Sequence, residues 1–144
     1  MSHSFQVTFD AVNATKLADF WMAALGYQRQ PPPPGYETWE AFALDKGIPE
    51  EEWDSIDALI DPDGDGPRLY FQTVPEHKTT KNRVHLDINI ADRDTDTSQR
   101  RVDIDKEIDR LLAIGATRIE DFDVDGLGVW SVMNDPEGNE FCVH

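Results

Sequence analysis

The chain has 144 residues, of which 13 are basic and 29 acidic, giving a formal charge of −16, and 39% are hydrophobic. That length suits one domain with a buried core, and 10% aromatic content excludes a disordered tail. So acidic a surface repels phosphate backbones and anionic headgroups, which predicts neither a nucleic-acid nor a membrane partner.

No apolar run approaches the roughly 20 residues of a spanning helix. The N-terminal Met1-Ser2-His3-Ser4 carries no signal region, so a cytoplasmic location is expected. Cys142 is the sole cysteine, which rules out an intrachain disulfide and a zinc cluster built of cysteines.

Phe5 to Asp10 alternates apolar and polar residues and predicts a half-buried strand. Asn13 or Thr15 can cap the helix that follows, whose stripe is Leu17, Phe20, Trp21 and Leu25, and Gly26 stops it. The stripe makes Trp21 a core residue. Pro31 to Gly35 holds four prolines and predicts a loop. Trp39, Ala41 and Ala43 are read as alternating with Phe42 and Leu44 on a strand, with Trp39 walling a cavity.

Nine acids and one lysine lie between Asp45 and Asp65, as on a solvated face, with Trp53 among them. Asp61-Pro62-Asp63-Gly64 predicts a turn, since Asp bonds nearby backbone, Pro fixes φ and Gly accepts positive φ. Asp61, Asp63, Asp65 and Gly66 also match half of a calcium loop, but turn chemistry explains them better. Arg68 to Gln72 is the next strand, with Leu69 and Phe71 on one face and Tyr70 and Gln72 on the other.

His77 to Arg83 reads as the crossing to a second half of the same plan. Val84 to Ile90 is its alternating strand, and Asp92 to Arg101 a solvated connection. Val102, Ile104, Ile108, Leu111 and Leu112 recur at helical spacing until Gly115. A strand bearing Trp130 leads to Asp135-Pro136-Glu137-Gly138, the counterpart of the first turn, and Asn139 to Val143 closes the chain. His3, His77 and His144 are expected at the surface.

Each half thus runs strand, helix and about three strands. This repeat, with Ala18-Asp19-Phe20-Trp21, Leu25-Gly26, Asn82-Arg83-Val84-His85-Leu86-Asp87 and the terminal Asp135-Pro136-Glu137-Gly138-Asn139-Glu140-Phe141, resembles the vicinal oxygen chelate superfamily, in its glyoxalase-like branch. The resemblance covers nearly the whole chain. It implies an α+β fold in which paired βαβββ modules form a curved mixed sheet around a concave cavity. A single domain over residues 1–144 is expected, with module one at 4–76 and module two at 83–144.

In that superfamily, metal ligands sit on the first and last strands of each module. By resemblance they fall here on Gln6, His85 and Glu140, with Glu140 as the proton-shuttling base. The fourth falls on Tyr70 or Gln72, neither a usual ligand for a hard cation. Strand parity alone places Gln6, His85 and Glu140 on the polar faces, opposite the apolar sets that pack under helices. Thr8, Trp39, Tyr70, Gln72, Asp87, Trp130 and Cys142 complete the expected pocket, with Cys142 read as a small hydrophobe.

Two functions follow from the resemblance. One is a lyase or dioxygenase using Ni, Zn, Mn or Fe to bind adjacent substrate oxygens. The other is a metal-free protein that sequesters a small molecule, as bleomycin-resistance proteins do, and an interaction module is a weaker third. A small-molecule ligand and a homodimer are expected in both leading cases.

Overall fold

A computed structural model of the chain describes residues 1–90, 92 and 94–144. β1 (Gln6–Ala11) starts one residue later than its pattern suggests, which leaves Phe5 exposed before the strand. The Asn13 side chain accepts a hydrogen bond from Lys16 N and caps α1 (Ala14–Leu25). Gly26, at φ 70°, ends it in the left-handed region that a side chain would resist. Leu17, Ala18, Phe20 and Trp21 are buried, and Trp21 meets the Phe9 ring at 5.3 Å.

After β2 (Gln28–Arg29), the structure departs from the expected strand at Trp39. That segment is a helix, α2 (Trp39–Lys46), so Trp39, Ala41 and Ala43 do not share a strand face. The Thr38 hydroxyl accepts from Ala41 N at 3.1 Å, and Gly47 closes the helix at φ 68°. Those caps favour the helix over a period-two reading supported by only five residues. A short 3-10 helix (Glu50–Ser55) follows, then β3 (Ile56–Ile60) and β4 (Arg68–Thr73).

The turn between β3 and β4 is held by one carboxylate. Asp61 accepts from Asp63 N, Asp65 N and Gly66 N at 3.0, 3.1 and 2.7 Å, so turn chemistry accounts for the calcium-like spacing. A Cβ at Gly66 would meet the Tyr27 hydroxyl, so that side chain would have to shift to admit one.

The second half begins with β5 (Asp87–Ile88), much shorter than the expected strand from Val84. Its ladder is longer than its two paired residues, since Cys142 N donates to Leu86 O, His144 N to Ile88 O and Ile90 N to His144 O. α3 (Thr97–Ala113) starts inside the segment expected to be a connection, because the Asp96 carboxylate caps it by accepting from Ser98 N and Gln99 N. Of that expected connection, Arg93 lies outside the described residues. Ile104, Ile108 and Leu111 form the buried stripe, whereas Val102 and Leu112 are exposed. β6 (Thr117–Val124), β7 (Gly128–Asn134) and β8 (Glu140–Val143) complete the chain.

The fold is α+β with two four-stranded mixed sheets, ordered β1-β4-β3-β2 and β5-β8-β7-β6. In each, one parallel pair (β1 with β4, β5 with β8) adjoins antiparallel neighbours. The chain divides into two compact units, Met1–His77 and Lys78–His144. In the first, Leu59, Leu69 and Phe71 are buried on the side where α1 packs. In the second, Val129, Met133, Phe141 and Val143 take that role, with α3 packing on β6, β7 and β8. No helix among the described residues is long and apolar enough to cross a membrane.

Two polar groups sit in the second core. Ser131, with 0% exposure, accepts from Arg101 Nη2 at 2.7 Å and donates to Asp121 at 2.6 Å. Asp135, 3% exposed, accepts from Glu137 N, Asn139 N and Asn139 Nδ2, and so ties the β7–β8 turn together. Removing this carboxylate strands buried donors, so Asp135→Ala is expected to lose about 2–3 kcal/mol of stability. Urea unfolding of both proteins measures it; an unchanged midpoint would show that the turn holds without Asp135.

Candidate functional site

The buried face of each sheet leaves an open face on the other side, and both carry the expected site residues. On the first sheet, Gln6, Thr8 and Asp10 stand opposite Arg68, Tyr70 and Gln72 in register. They are already paired with one another. Gln6 Oε1 accepts from Arg68 Nη1 at 2.8 Å, and Gln6 Nε2 reaches the Thr8 hydroxyl at 3.4 Å. Gln72 Nε2 donates to Asp10 at 2.7 Å, which occupies the side chain that was the alternative to Tyr70. The Arg68 guanidinium also donates to Gln30 Oε1 at 2.6 Å and lies 5.1 Å from the Tyr70 ring centre. A fixed cation therefore stands on the amide oxygen expected to face a metal.

Above this face, α2 and the short 3-10 helix enclose a cavity of about 370 Å³. Its walls include Trp39, Phe42, Trp53, Tyr70, Ile48 and Ile56. Trp39 reaches the cavity from a helix rather than a strand, with Nε1 donating to Gln30 O at 2.8 Å and its ring edge-on to Phe42 at 5.6 Å. Trp53 is fixed in the same way, by donation from Nε1 to Ile48 O at 3.0 Å. Carboxylates outnumber cations around it: Glu40, Glu52, Asp54 and Asp57 against Arg29 and Arg68. Arg29 is itself held by Asp19 at 2.6 Å and Asp57 at 3.0 Å. Of the expected pocket residues, Trp39 and Tyr70 line this cavity; Thr8 and Gln72 do not. Phe42 and Arg68 were missed, although Thr38 and Gly47 flank α2 as cap signals in the sequence.

On the second sheet, Glu140 and Cys142 of β8 share the open face with Asp87 of β5 and Trp130 and Val132 of β7. Glu140 binds protein groups through both oxygens, Lys78 Nζ at 3.0 Å and Asn82 N at 2.9 Å. Burial pushes its carboxyl up, but the Asn82 N–H and the Lys78 ammonium outweigh this and hold it below the ordinary 4.5. His85 Nε2 lies 3.3 Å from Asp87 instead. His144, expected at the surface, is half-buried, stacked 6.0 Å from Trp130, and 3.6 Å from Asp87. Trp130 stacks on Phe122 at 5.0 Å on its other side. Cys142 is buried, and burial with the nearby Asp87 pushes its thiol up to about 11.

The chain belongs to the glyoxalase-like domain family, whose sequence profile matches residues 6–144. Its fold is that of the vicinal oxygen chelate proteins, as solved structures show at low identity. A glyoxalase/bleomycin resistance protein/dioxygenase family enzyme from Burkholderia phytofirmans PsJN is 16% identical, with 96% of this chain and 94% of that one covered and a TM-score of 0.62. A variant of the fosfomycin resistance protein FosX from Listeria monocytogenes, complexed with Mn(II) and 1S,2S-dihydroxypropylphosphonic acid, is 13% identical over 100% and 90% of the chains, TM-score 0.63. FosX from Mesorhizobium loti is 10% identical over 100% and 92%, TM-score 0.61. Among curated proteins, no sequence matches this one.

The depressed Glu140 carboxyl fixes a sign. A group whose folded pKa is lowered adds stability above its ordinary value and loses it as pH falls through the folded one. Glu140→Gln is therefore expected to destabilise the protein near pH 7 and to cost progressively less as the pH falls below the ordinary carboxyl range. Urea midpoints of both proteins across that range test it; a pH-independent difference would contradict the pairing with Lys78 and Asn82.

Proposed function

We propose that the protein binds a small, planar organic cation in the cavity of its first unit, and does so without a metal. The observation that carries this reading is the cavity wall. Trp39, Phe42, Trp53 and Tyr70 supply apolar and aromatic area, and both indole N–H groups are already bonded to backbone. The rings therefore offer their faces to a ligand rather than their donors. Four carboxylates around the same space favour a positively charged guest over an anion, as does the overall charge of −16.

The alternative is a lyase or dioxygenase with a divalent metal at Gln6, His85 and Glu140. The donor chemistry does not fit such a cation well. Arg68 bonds the Gln6 oxygen, and Lys78 and Asn82 bond both Glu140 oxygens. The fourth position offers a phenol or an amide where an anionic oxygen is wanted. Glu140 as a proton shuttle meets the same difficulty, since a carboxylate of lowered pKa is a weaker base. We accordingly propose sequestration rather than turnover, by a homodimer; light scattering at twice the 16.4 kDa chain mass would support that last element.

The binding reading is tested with ethidium as a planar cation and anilinonaphthalene sulfonate as an anionic counterpart. Ethidium is expected to bind protein stripped with EDTA as tightly as untreated protein, and more tightly than the sulfonate. Trp39→Ala and Trp53→Ala should each weaken it about tenfold, the loss of one stacking wall. Preference for the anion, or loss of binding with EDTA, would overturn the proposal.

A further inference from the structure

Away from the cavity, three donor side chains, His85, Asp87 and Cys142, meet on the open face of the second sheet, and His144 approaches Asp87 beside them. Asp87 opens β5 and pairs directly with Cys142 on β8, so their side chains emerge side by side. His85 and His144 lie two residues along the chain from these, and the pleat returns them to the same face. His85 Nε2 is 3.3 Å from Asp87 Oδ1, and His144 Nε2 is 3.6 Å from Asp87 Oδ2. One donor atom each from His85, Asp87 and Cys142 lie within 4.8 Å of one another.

These separations suit a small cation. Two N or O ligands at about 2.0–2.1 Å from a tetrahedral ion lie about 3.3–3.4 Å apart, and a sulfur at about 2.3 Å slightly further. The donor types are equally selective, because imidazole and thiolate favour borderline-soft transition ions over calcium or magnesium. We propose that His85, Asp87, Cys142 and His144 form a binding site for a zinc-type transition cation. Glu140 is not part of it, its oxygens being bonded to Lys78 and Asn82, and neither is any residue of the cavity.

The site has a structural consequence. Its ligands belong to the short strand β5, the segment just before it, and the last strand, so a bound ion would clamp those segments together. Stacking on Trp130 holds the His144 ring on this face, which reduces the ordering that coordination requires.

The test uses untagged, EDTA-treated protein titrated with Co(II), then with Zn(II) as competitor. The expected result is one cobalt per chain, with a thiolate-to-cobalt charge-transfer band, the strong visible bands of four-coordination, and quenching of Trp130 beside His144. Cys142→Ser should abolish the charge-transfer band, and Asp87→Asn and His144→Ala should each weaken binding at least tenfold. In Glu140→Gln the band should persist. Saturating Zn(II) should raise Tm by about 5 °C. A folded wild type without the charge-transfer band would overturn the proposal. So would cobalt binding that survives Cys142→Ser but is lost in Glu140→Gln, which would instead place the ion at the donors of the metalloenzyme reading.

Discussion

Each sheet buries one face beneath a helix, and that constraint sorts the residues of its central strands into one of two roles. Leu69 and Phe71 lie under α1, which turns Arg68, Tyr70 and Gln72 to the open side. Phe141 and Val143 lie beneath α3, leaving Glu140 to the open face with Cys142 beside it. A one-residue slip would exchange the two sets and expose the core, so register and chemistry are fixed together. The candidate sites follow from this packing requirement.

On both open faces, several polar side chains that could hold a ligand are bonded within the protein. Arg68 bonds Gln6 and Gln30, Gln72 bonds Asp10, and Lys78 and Asn82 bond Glu140. Such pairs resist metal exchange, because freeing one partner leaves a half-buried charge or donor unmatched. Two places on these faces offer chemistry. The first is the cavity walled by Trp39, Phe42, Trp53 and Tyr70, and the second is Asp87, with two imidazoles and a thiol around it.

Much of the fold was legible because its signals are periodic or punctuated. The alternation at Phe5 to Asp10, the stripe at Leu17 and Trp21, and the paired Asp-Pro-acid-Gly turns each name a local structure with a physical cause. Trp39 misled because Trp39, Ala41 and Ala43 alternate over a span too short to distinguish period two from 3.6. Thr38 and Gly47 carried the decisive information as caps. Asp96 did the same for the start of α3.

The candidate site was legible by face but not by partner. Parity puts Gln6, His85 and Glu140 on polar faces and sets Asp87 beside His85, yet no spacing rule says that Arg68 bonds Gln6 or that Gln72 bonds Asp10. Those contacts join residues up to 62 apart in sequence, as Gln6 and Arg68 are, and depend on strand pairing rather than local pattern. His144 was missed because a chain-end histidine carries no local signal of the Trp130 ring it stacks upon.

The proposed ligand site is the first unit's aromatic cavity, and the four indole N–H resonances report on it directly. Nitrogen-15 spectra recorded during an ethidium titration should show the Trp39 and Trp53 signals moving together, with Trp21 and Trp130 still. Movement centred on Trp130, with Trp39 and Trp53 unchanged, would contradict the account.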